Sequence, residues 1–135
     1  MKVVPPLTDS AAPPPAVPHD VLIVEDDAII ALDFEDAVRS CGVPNVRCAA
    51  DTFEALQAIE ARPPDFALLD VGLGSGTSFA VAERLDALGI PFAIVTGYSS
   101  DVQLLARYAS RPMLGKPYVM DELAALLQNW RTLAE

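Results

Sequence analysis

Short apolar segments alternate along this chain with segments of helical spacing, and this alternation limits the folds that are open to it. Residues 21–24 form a β-branched apolar run that stops at acidic residues, and Ile30, Phe34 and Val38 then recur at helical spacing until Gly42. The same sequence of strand and helix repeats to the end of the chain. Strands this apolar are covered on both faces, so the pattern predicts a doubly wound parallel α/β sheet of five βα units with right-handed crossovers.

The later units follow the same pattern with weaker signals at the fifth strand. The predicted strands two to five cover residues 46–50, 66–69, 91–96 and 112–114. The helix after the second strand is capped by Asp51 or Thr52 and ends before Pro63, and the helix after the third strand ends at Gly89. The fourth helix spans residues 102–109, and the last is an amphipathic segment over residues 123–133.

Length and composition predict one domain with a short tail. The chain has 135 residues, of which 52% are hydrophobic, and this is enough to build a single core. The proline-rich residues 1–19 are predicted to be an extended or disordered tail, and residues 20–135 the folded domain. We expect a cytoplasmic protein, because the sequence shows neither a membrane-spanning segment nor a signal-peptide pattern.

The charge of the chain restricts its partners. A net charge of -10 repels phosphate backbones and anionic lipid, so we expect no direct binding to nucleic acid and none to membranes. An acidic cleft attracts divalent cations instead. The two cysteines, Cys41 and Cys48, are predicted to be free thiols in or near the core.

Polar residues close the predicted strands, and all strands of a parallel sheet end at the same edge. The residues that should meet there are Glu25, Asp26, Asp27, Asp70, Thr96 and Lys116. Several carboxylates on one edge suit Mg²⁺, which prefers hard oxygen ligands. Asp70 could then attack phosphorus while Lys116 and the Thr96 hydroxyl stabilise the phosphoryl oxygens.

Four segments together resemble the receiver domain of two-component response regulators. They are Leu22-Ile23-Val24-Glu25-Asp26-Asp27, Leu68-Leu69-Asp70, Val95-Thr96-Gly97 and Gly115-Lys116-Pro117. The resemblance covers the chain from about residue 20 and implies a flavodoxin-like (βα)5 fold. It also implies that Asp70 is the phosphoacceptor, converted to 4-aspartylphosphate, and that Thr96 and Lys116 complete the catalytic set.

The same resemblance implies a metal site and a cis peptide bond. Mg²⁺ would be held by Asp26, Asp70 and the backbone carbonyl of Gly72, with Glu25 acting mainly through water. The bond between Lys116 and Pro117 is expected to be cis. Asp27 matches no ligand position and is interpreted as a supporting or solvated charge.

The chain departs from the family pattern at its switch residues. Receivers usually carry Tyr or Phe three residues before the lysine, but Met113 stands there. Pro91-Phe92 and Thr96-Gly97-Tyr98 resemble a single-domain subgroup nicknamed FAT GUY, which is associated with general stress signalling, although Ile94-Val95 replaces its Phe-Ala. Our hypothesis is that Tyr98 reports phosphorylation in place of the missing aromatic residue, and a half-exposed loop tyrosine is the alternative.

These observations predict a single-domain response regulator rather than an enzyme. It would take a phosphoryl group from a histidine kinase or a phosphotransfer protein. It would then contact a downstream protein through the face of the fourth helix, fifth strand and last helix, with homodimer formation left open. A receiver-like module that binds without being phosphorylated is one alternative. The other is a fragment of an S-adenosylmethionine-dependent methyltransferase, whose first motif the loop from Asp70 to Gly76 also resembles.

Overall fold

The computed structural model describes residues 17–70, 78–96, 106–107 and 110–132. Strands and helices alternate within these ranges as the sequence pattern predicts. The elements are β1 (Asp20–Val24), α1 (Ala28–Ser40), β2 (Asn45–Ala49), α2 (Thr52–Ala61), β3 (Phe66–Asp70), α3 (Ser78–Ala87), β4 (Phe92–Thr96), β5 (Met113–Gly115) and α4 (Met120–Gln128). Residues 106–107 are helical, and the rest of the helix predicted over 102–109 lies outside the described residues.

The five strands form one parallel sheet in the order β2-β1-β3-β4-β5. This is the order of flavodoxin-like doubly wound sheets, in which ligands bind at the carboxyl ends of the strands where the strand order reverses. The predicted fold is confirmed. The reversal places the ends of β1 and β3 side by side, because Val24 pairs with Leu69.

Alternate residues of the central strands pack on opposite faces of the sheet, as the side-chain period of a strand requires. Leu22 and Val24 belong to a cluster completed by α2 and α3, whereas Val21 and Ile23 belong to one completed by α1 and α4. Side chains such as Phe34 are almost wholly buried in these clusters. Each contributes about 1.5 to 3 kcal/mol by removal from water, so the two apolar layers hold the strands in register.

The helices begin and end where capping chemistry allows. Asp51 accepts a hydrogen bond from the Glu54 N–H and caps α2, as predicted. The turn after α3 contains Gly89 at a φ of 71°, a left-handed conformation that favours glycine. Such ends fix the length of each helix and therefore the direction in which the chain enters the next strand.

The amino ends of the strands carry a second group of charged residues, which the sequence pattern did not reveal. The buried Asp20 carboxylate accepts hydrogen bonds from Arg47 Nε at 3.1 Å and Arg62 Nε at 2.7 Å. Arg47 also donates to the carbonyl oxygens of Ala58 and Arg62. Asp65 accepts the backbone N–H of Asp20. This network ties β1 and β2 to the end of α2.

The structure differs from the predicted packing at two residues. Cys48 was expected in or near the core, but it is exposed on β2, and its thiol lies 3.7 Å from Glu35 Oε1. Although the residue is exposed, partial burial of its sulphur and the neighbouring Glu35 carboxylate raise the Cys48 pKa to about 11. Ile30 belongs to the apolar stripe predicted for α1 but is 39% exposed. Helical spacing identifies an apolar stripe, but it does not show how far round the helix the core extends.

The segment before β1 is partly in contact with the domain. Val17 packs against the cluster of α1 and α4, and His19 Nδ1 lies 3.2 Å from the Asn45 side-chain nitrogen. Residues 1–16 lie outside the described residues, so the predicted boundary at residue 20 stays a prediction. In the part of the chain that the structure describes, no helix combines the length and apolarity needed to cross a bilayer.

Candidate functional site

The predicted polar residues meet at the carboxyl edge of the sheet. Glu25 directly follows β1, Asp70 ends β3 and Thr96 ends β4, so three neighbouring strands contribute to the same edge. Lys116 follows β5, and its backbone N–H donates to the Thr96 carbonyl oxygen at 2.7 Å. Residues that are as many as 91 positions apart in sequence therefore share one site.

Three carboxylates form the centre of this site. One oxygen each from Glu25, Asp26 and Asp70 lies within 4.8 Å of the other two, a separation that allows all three to surround one cation. Glu25 is 3% exposed, and one of its oxygens accepts the Asp27 backbone N–H at 3.0 Å. Asp26 is exposed to solvent, whereas the Asp70 side chain is 10% exposed. The site is therefore anchored in the core and open on one side.

Lys116 provides a positive charge next to two of these carboxylates. Its Nζ donates to Asp70 Oδ2 and lies 3.3 Å from Glu25 Oε1. The backbone bond between Lys116 and Pro117 is cis, as expected. One ammonium group thus faces two carboxylates, and a third carboxylate lies beside them.

The electrostatics of the site reflect this excess of negative charge. Burial raises the pKa of Glu25, and the neighbouring Asp70 carboxylate raises it further. Burial by itself would lower the pKa of Lys116, but its hydrogen bond to Asp70 and the charges of Asp70 and Glu25 outweigh that effect and raise it. Lys116 is therefore held in its charged form, whereas its single positive charge does not offset the effects that raise the pKa of the buried Glu25.

The remaining predicted site residues divide between the described and the undescribed parts of the chain. Thr96 is half-buried at the end of β4, one strand away from Asp70. Met113 is 43% exposed on the edge strand β5. Gly72 and Tyr98 lie outside the described residues, so the carbonyl ligand and the proposed tyrosine switch stay predictions.

Two residues near the site have structural partners that the sequence analysis missed. Asp27, interpreted as a supporting or solvated charge, is the N-cap of α1 and accepts the N–H groups of Ile29 and Ile30. Its position just before the apolar helical pattern was a signal that could have identified the cap. Tyr118 stacks on Phe34 of α1, a contact for which the sequence has no local signal.

The arrangement suits the transfer of a phosphoryl group more than hydrolysis by paired acids. A carboxylate with an ammonium group beside it can attack an electrophilic phosphorus atom while the cation stabilises the negative charge on the phosphoryl oxygens. The three clustered carboxylates are the oxygen donors that a hard divalent cation takes, and one lysine leaves negative charge for such a cation to offset. This is an acidic pocket in which a carboxylate in contact with an ammonium group is able to act as a nucleophile.

Comparison with known proteins gives the same assignment. The family model of the response regulator receiver domain matches residues 21–128. The transcriptional regulatory protein PdtaR of Mycobacterium tuberculosis is 32% identical over 126 residues, covering 91% of this chain and 60% of that protein. The solution structure of SdrG from Sphingomonas melonis is 35% identical with a TM-score of 0.69, and the match covers 89% of this chain and 98% of that one.

A longer relative has a similar receiver segment. The phyllosphere-induced regulator PhyR of Methylorubrum extorquens is 28% identical over 113 residues, covering 82% of this chain and 42% of that protein. The chain thus spans 60% or less of the length of these two curated relatives, and nearly the whole of SdrG. The comparisons give no support to the methyltransferase alternative. The chain belongs to the response regulator receiver domain family.

Proposed function

We propose that this protein is a phosphoryl-accepting signalling switch in which Asp70 receives the phosphoryl group. The observation that carries the proposal is the cluster of Glu25, Asp26 and Asp70 oxygens within 4.8 Å of one another, with the Lys116 ammonium on Asp70. Family membership supports the same conclusion. The chain would act as the acceptor and carrier of the group rather than as an enzyme on other substrates.

Each residue would have a defined part in the transfer. An Asp70 oxygen forms a bond to phosphorus as the bond from phosphorus to the donor breaks, and the electron pair leaves with the donor imidazole or acetate. The Lys116 ammonium group, already in contact with Asp70, would then donate a hydrogen bond to an oxygen of the new acyl phosphate. The Thr96 hydroxyl, at the end of the adjacent strand, would donate a hydrogen bond to another of these oxygens.

The acidic pocket fits Mg²⁺. Its donors are carboxylate oxygens, and they outnumber the single ammonium group in contact with them. Asp26, Asp70 and the Gly72 carbonyl would hold the ion, with Glu25 acting through water. When bound, Mg²⁺ supplies positive charge to the phosphoryl oxygens.

The partners follow from this chemistry. The donor would be a histidine kinase or a phosphotransfer protein, and the setting would be the cytoplasm. Phosphorylation would change which conformations are populated, because the new dianion favours those in which Thr96 and Lys116 approach it. The face that includes β5 and α4 would then contact a downstream protein or a second copy of the chain. The likeness to PhyR supports a role in stress signalling, since one solved PhyR structure is described as that of a stress response regulator.

Phosphorylation of the purified protein tests the proposal. With acetyl phosphate and Mg²⁺, we expect the intact mass to increase by one phosphoryl group, and we expect chelation of the metal to prevent this. Asp70→Asn should abolish the modification, whereas Asp36→Asn, which alters an exposed carboxylate of α1, should preserve it. Equal labelling of Asp70→Asn and wild type would contradict the assignment of Asp70. A wild type that neither acetyl phosphate nor a phosphohistidine donor can label would favour the passive binding module.

A further inference from the structure

Tyr118 connects the segment that carries Lys116 to helix α1. Its ring lies parallel to the ring of Phe34, with centroids 4.8 Å apart and planes inclined by 10°. Its hydroxyl donates to Asp33 Oδ2 at 3.2 Å. Phe34 is 1% exposed and belongs to the core cluster of α1 and α4, so the Tyr118 ring packs on a close-packed residue of the core.

The position of Tyr118 in the chain gives this contact a consequence for the site. The backbone N–H of Lys116 donates a hydrogen bond to the Thr96 carbonyl oxygen, and Tyr118 lies two residues further along the chain. Beyond Tyr118 the chain enters α4 at Val119, whose side chain makes no capping hydrogen bond. The aromatic contact is therefore the side-chain anchor of this short connection.

Helix α1 is also the element that follows the carboxylates. Glu25 and Asp26 lie between β1 and α1, and the Asp27 cap fixes the start of the helix directly after them. The contact between Tyr118 and α1 thus links the segment that carries Lys116 to the segment that carries Glu25 and Asp26.

We propose that Tyr118 is a positioning residue that holds Lys116 against Asp70 by stacking on Phe34 and bonding to Asp33. The proposal rests on the phosphoryl-accepting function argued above and extends it to a residue outside the charged site. The ring stack provides most of the restraint, because it is packed on the core. The hydroxyl bond, whose Asp33 acceptor is exposed, contributes less.

A purely structural tyrosine would give a different result from a positioning residue. Loss of packing lowers stability but leaves the chemistry of each folded molecule unchanged. Loss of positioning slows phosphoryl transfer, because a displaced ammonium group no longer meets the developing charge. It does not weaken binding of Mg²⁺, since Lys116 repels the ion instead of binding it. A general distortion of the site would weaken both.

The experiment compares Tyr118→Leu, Tyr118→Phe and Trp130→Leu with wild type. Trp130 is a matched control, because its ring packs against the same cluster from beyond the end of α4, about 15 Å along the helix from its start. We expect Tyr118→Leu to lower the rate of labelling by acetyl phosphate at saturating Mg²⁺ on the order of tenfold. Tyr118→Phe should restore most of the rate, to within about twofold of wild type. The Mg²⁺ dissociation constant, measured by calorimetry, should not rise in either variant.

A second measurement needs neither metal nor phosphoryl donor. The chain contains two lysines, Lys2 and Lys116, so the Lys116 side chain can be observed by NMR in a Lys2→Arg background with labelled lysine. We expect the order parameter of its Cε group to fall in Tyr118→Leu and to remain unchanged in Trp130→Leu. This reports the restraint on the ammonium group directly.

The outcomes separate the two proposals. If wild type is labelled and Tyr118→Leu is labelled at the same rate with an equally ordered Lys116, Tyr118 is only a packing residue and the inference is wrong. The same conclusion follows if Trp130→Leu slows labelling as much as Tyr118→Leu does. If wild type itself is not labelled but Lys116 loses order only in Tyr118→Leu, the positioning contact stands and the proposed function fails.

Discussion

The two ends of the sheet hold equally buried aspartates in opposite electrostatic settings. At the amino edge, the Asp20 side chain is 9% exposed and is paired with the guanidinium groups of Arg47 and Arg62. At the carboxyl edge, the Asp70 side chain is 10% exposed, and it shares the single Lys116 ammonium with Glu25. Both ends are built from the same kinds of residue, and the balance of charge distinguishes them.

The difference shows how burial alone fails to identify a functional carboxylate. Two cations for one acid satisfy Asp20 within the chain, so this group links strands to a helix and has no charge left to offer a ligand. At the carboxyl edge, the acids among the described residues outnumber the cations. Burial raises the Glu25 pKa there and the neighbouring Asp70 carboxylate raises it further, which suits the edge to a metal ion or a phosphoryl group. We therefore expect the amino edge to stabilise the fold and the carboxyl edge to carry the chemistry.

The same substitution at both edges should give the largest contrast. Asp20→Asn removes the counter-charge of two arginines, and we expect it to lower the free energy of unfolding by about 2 to 3 kcal/mol. Asp70→Asn should stay within about 1 kcal/mol of wild type, because Glu25 keeps its contact with Lys116 and repulsion between neighbouring carboxylates is relieved. Urea denaturation without Mg²⁺ measures both. Equal losses at the two sites would show that the carboxyl edge is also a structural network.

The two arginines of the amino edge should differ from each other by a smaller amount. Arg47 is 23% exposed and makes three hydrogen bonds that join β2 to β1 and α2, whereas Arg62 is 60% exposed. We expect Arg47→Met to lower the free energy of unfolding by about 1.5 kcal/mol and Arg62→Met by about 0.5 kcal/mol. Thermal or urea denaturation of the two variants provides the test, and a larger loss in Arg62→Met would reverse this ranking.

The smallest expected effect is a pH dependence at the carboxyl edge. The Glu25 pKa is raised in the folded protein, so the native state binds this proton more tightly than the unfolded state does. The resulting stabilisation is fully present below the unfolded pKa and is lost as the pH rises through the folded pKa. Without Mg²⁺, the stability of wild type relative to Glu25→Gln should therefore decline as the pH rises across this interval.

Denaturation of both proteins at several pH values measures this difference. Asp121→Asn is a suitable control, because it removes an exposed carboxylate from the first turn of α4. If wild type instead became more stable relative to Glu25→Gln as the pH rises, Glu25 would be better stabilised as a carboxylate in the fold than in water. The excess of acid at this edge would then be smaller than the structure indicates.

The sequence by itself determined the order of the elements and most of the site. Apolar runs of strand length with helical spacing between them are local patterns, so their alternation was enough to predict the five strands and the doubly wound sheet. The site residues were predictable because each ends a strand or closely follows one, and parallel strands end at one edge. Gly72, Tyr98, most of the fourth predicted helix and the tail stay predictions.

Only the tertiary structure decided which charges meet at the amino edge and how many cations lie against each buried aspartate. Asp20 lies on β1, Arg47 on β2 and Arg62 directly after α2, and nothing in the local sequence of any one of them predicts that they form a network. The stack of Tyr118 on Phe34 joins residues 84 positions apart and likewise depends on how α1 and the end of β5 pack. Local patterns reflect short-range preferences of the backbone and side chains. These contacts depend instead on strand register and helix packing, which exist only in the folded chain.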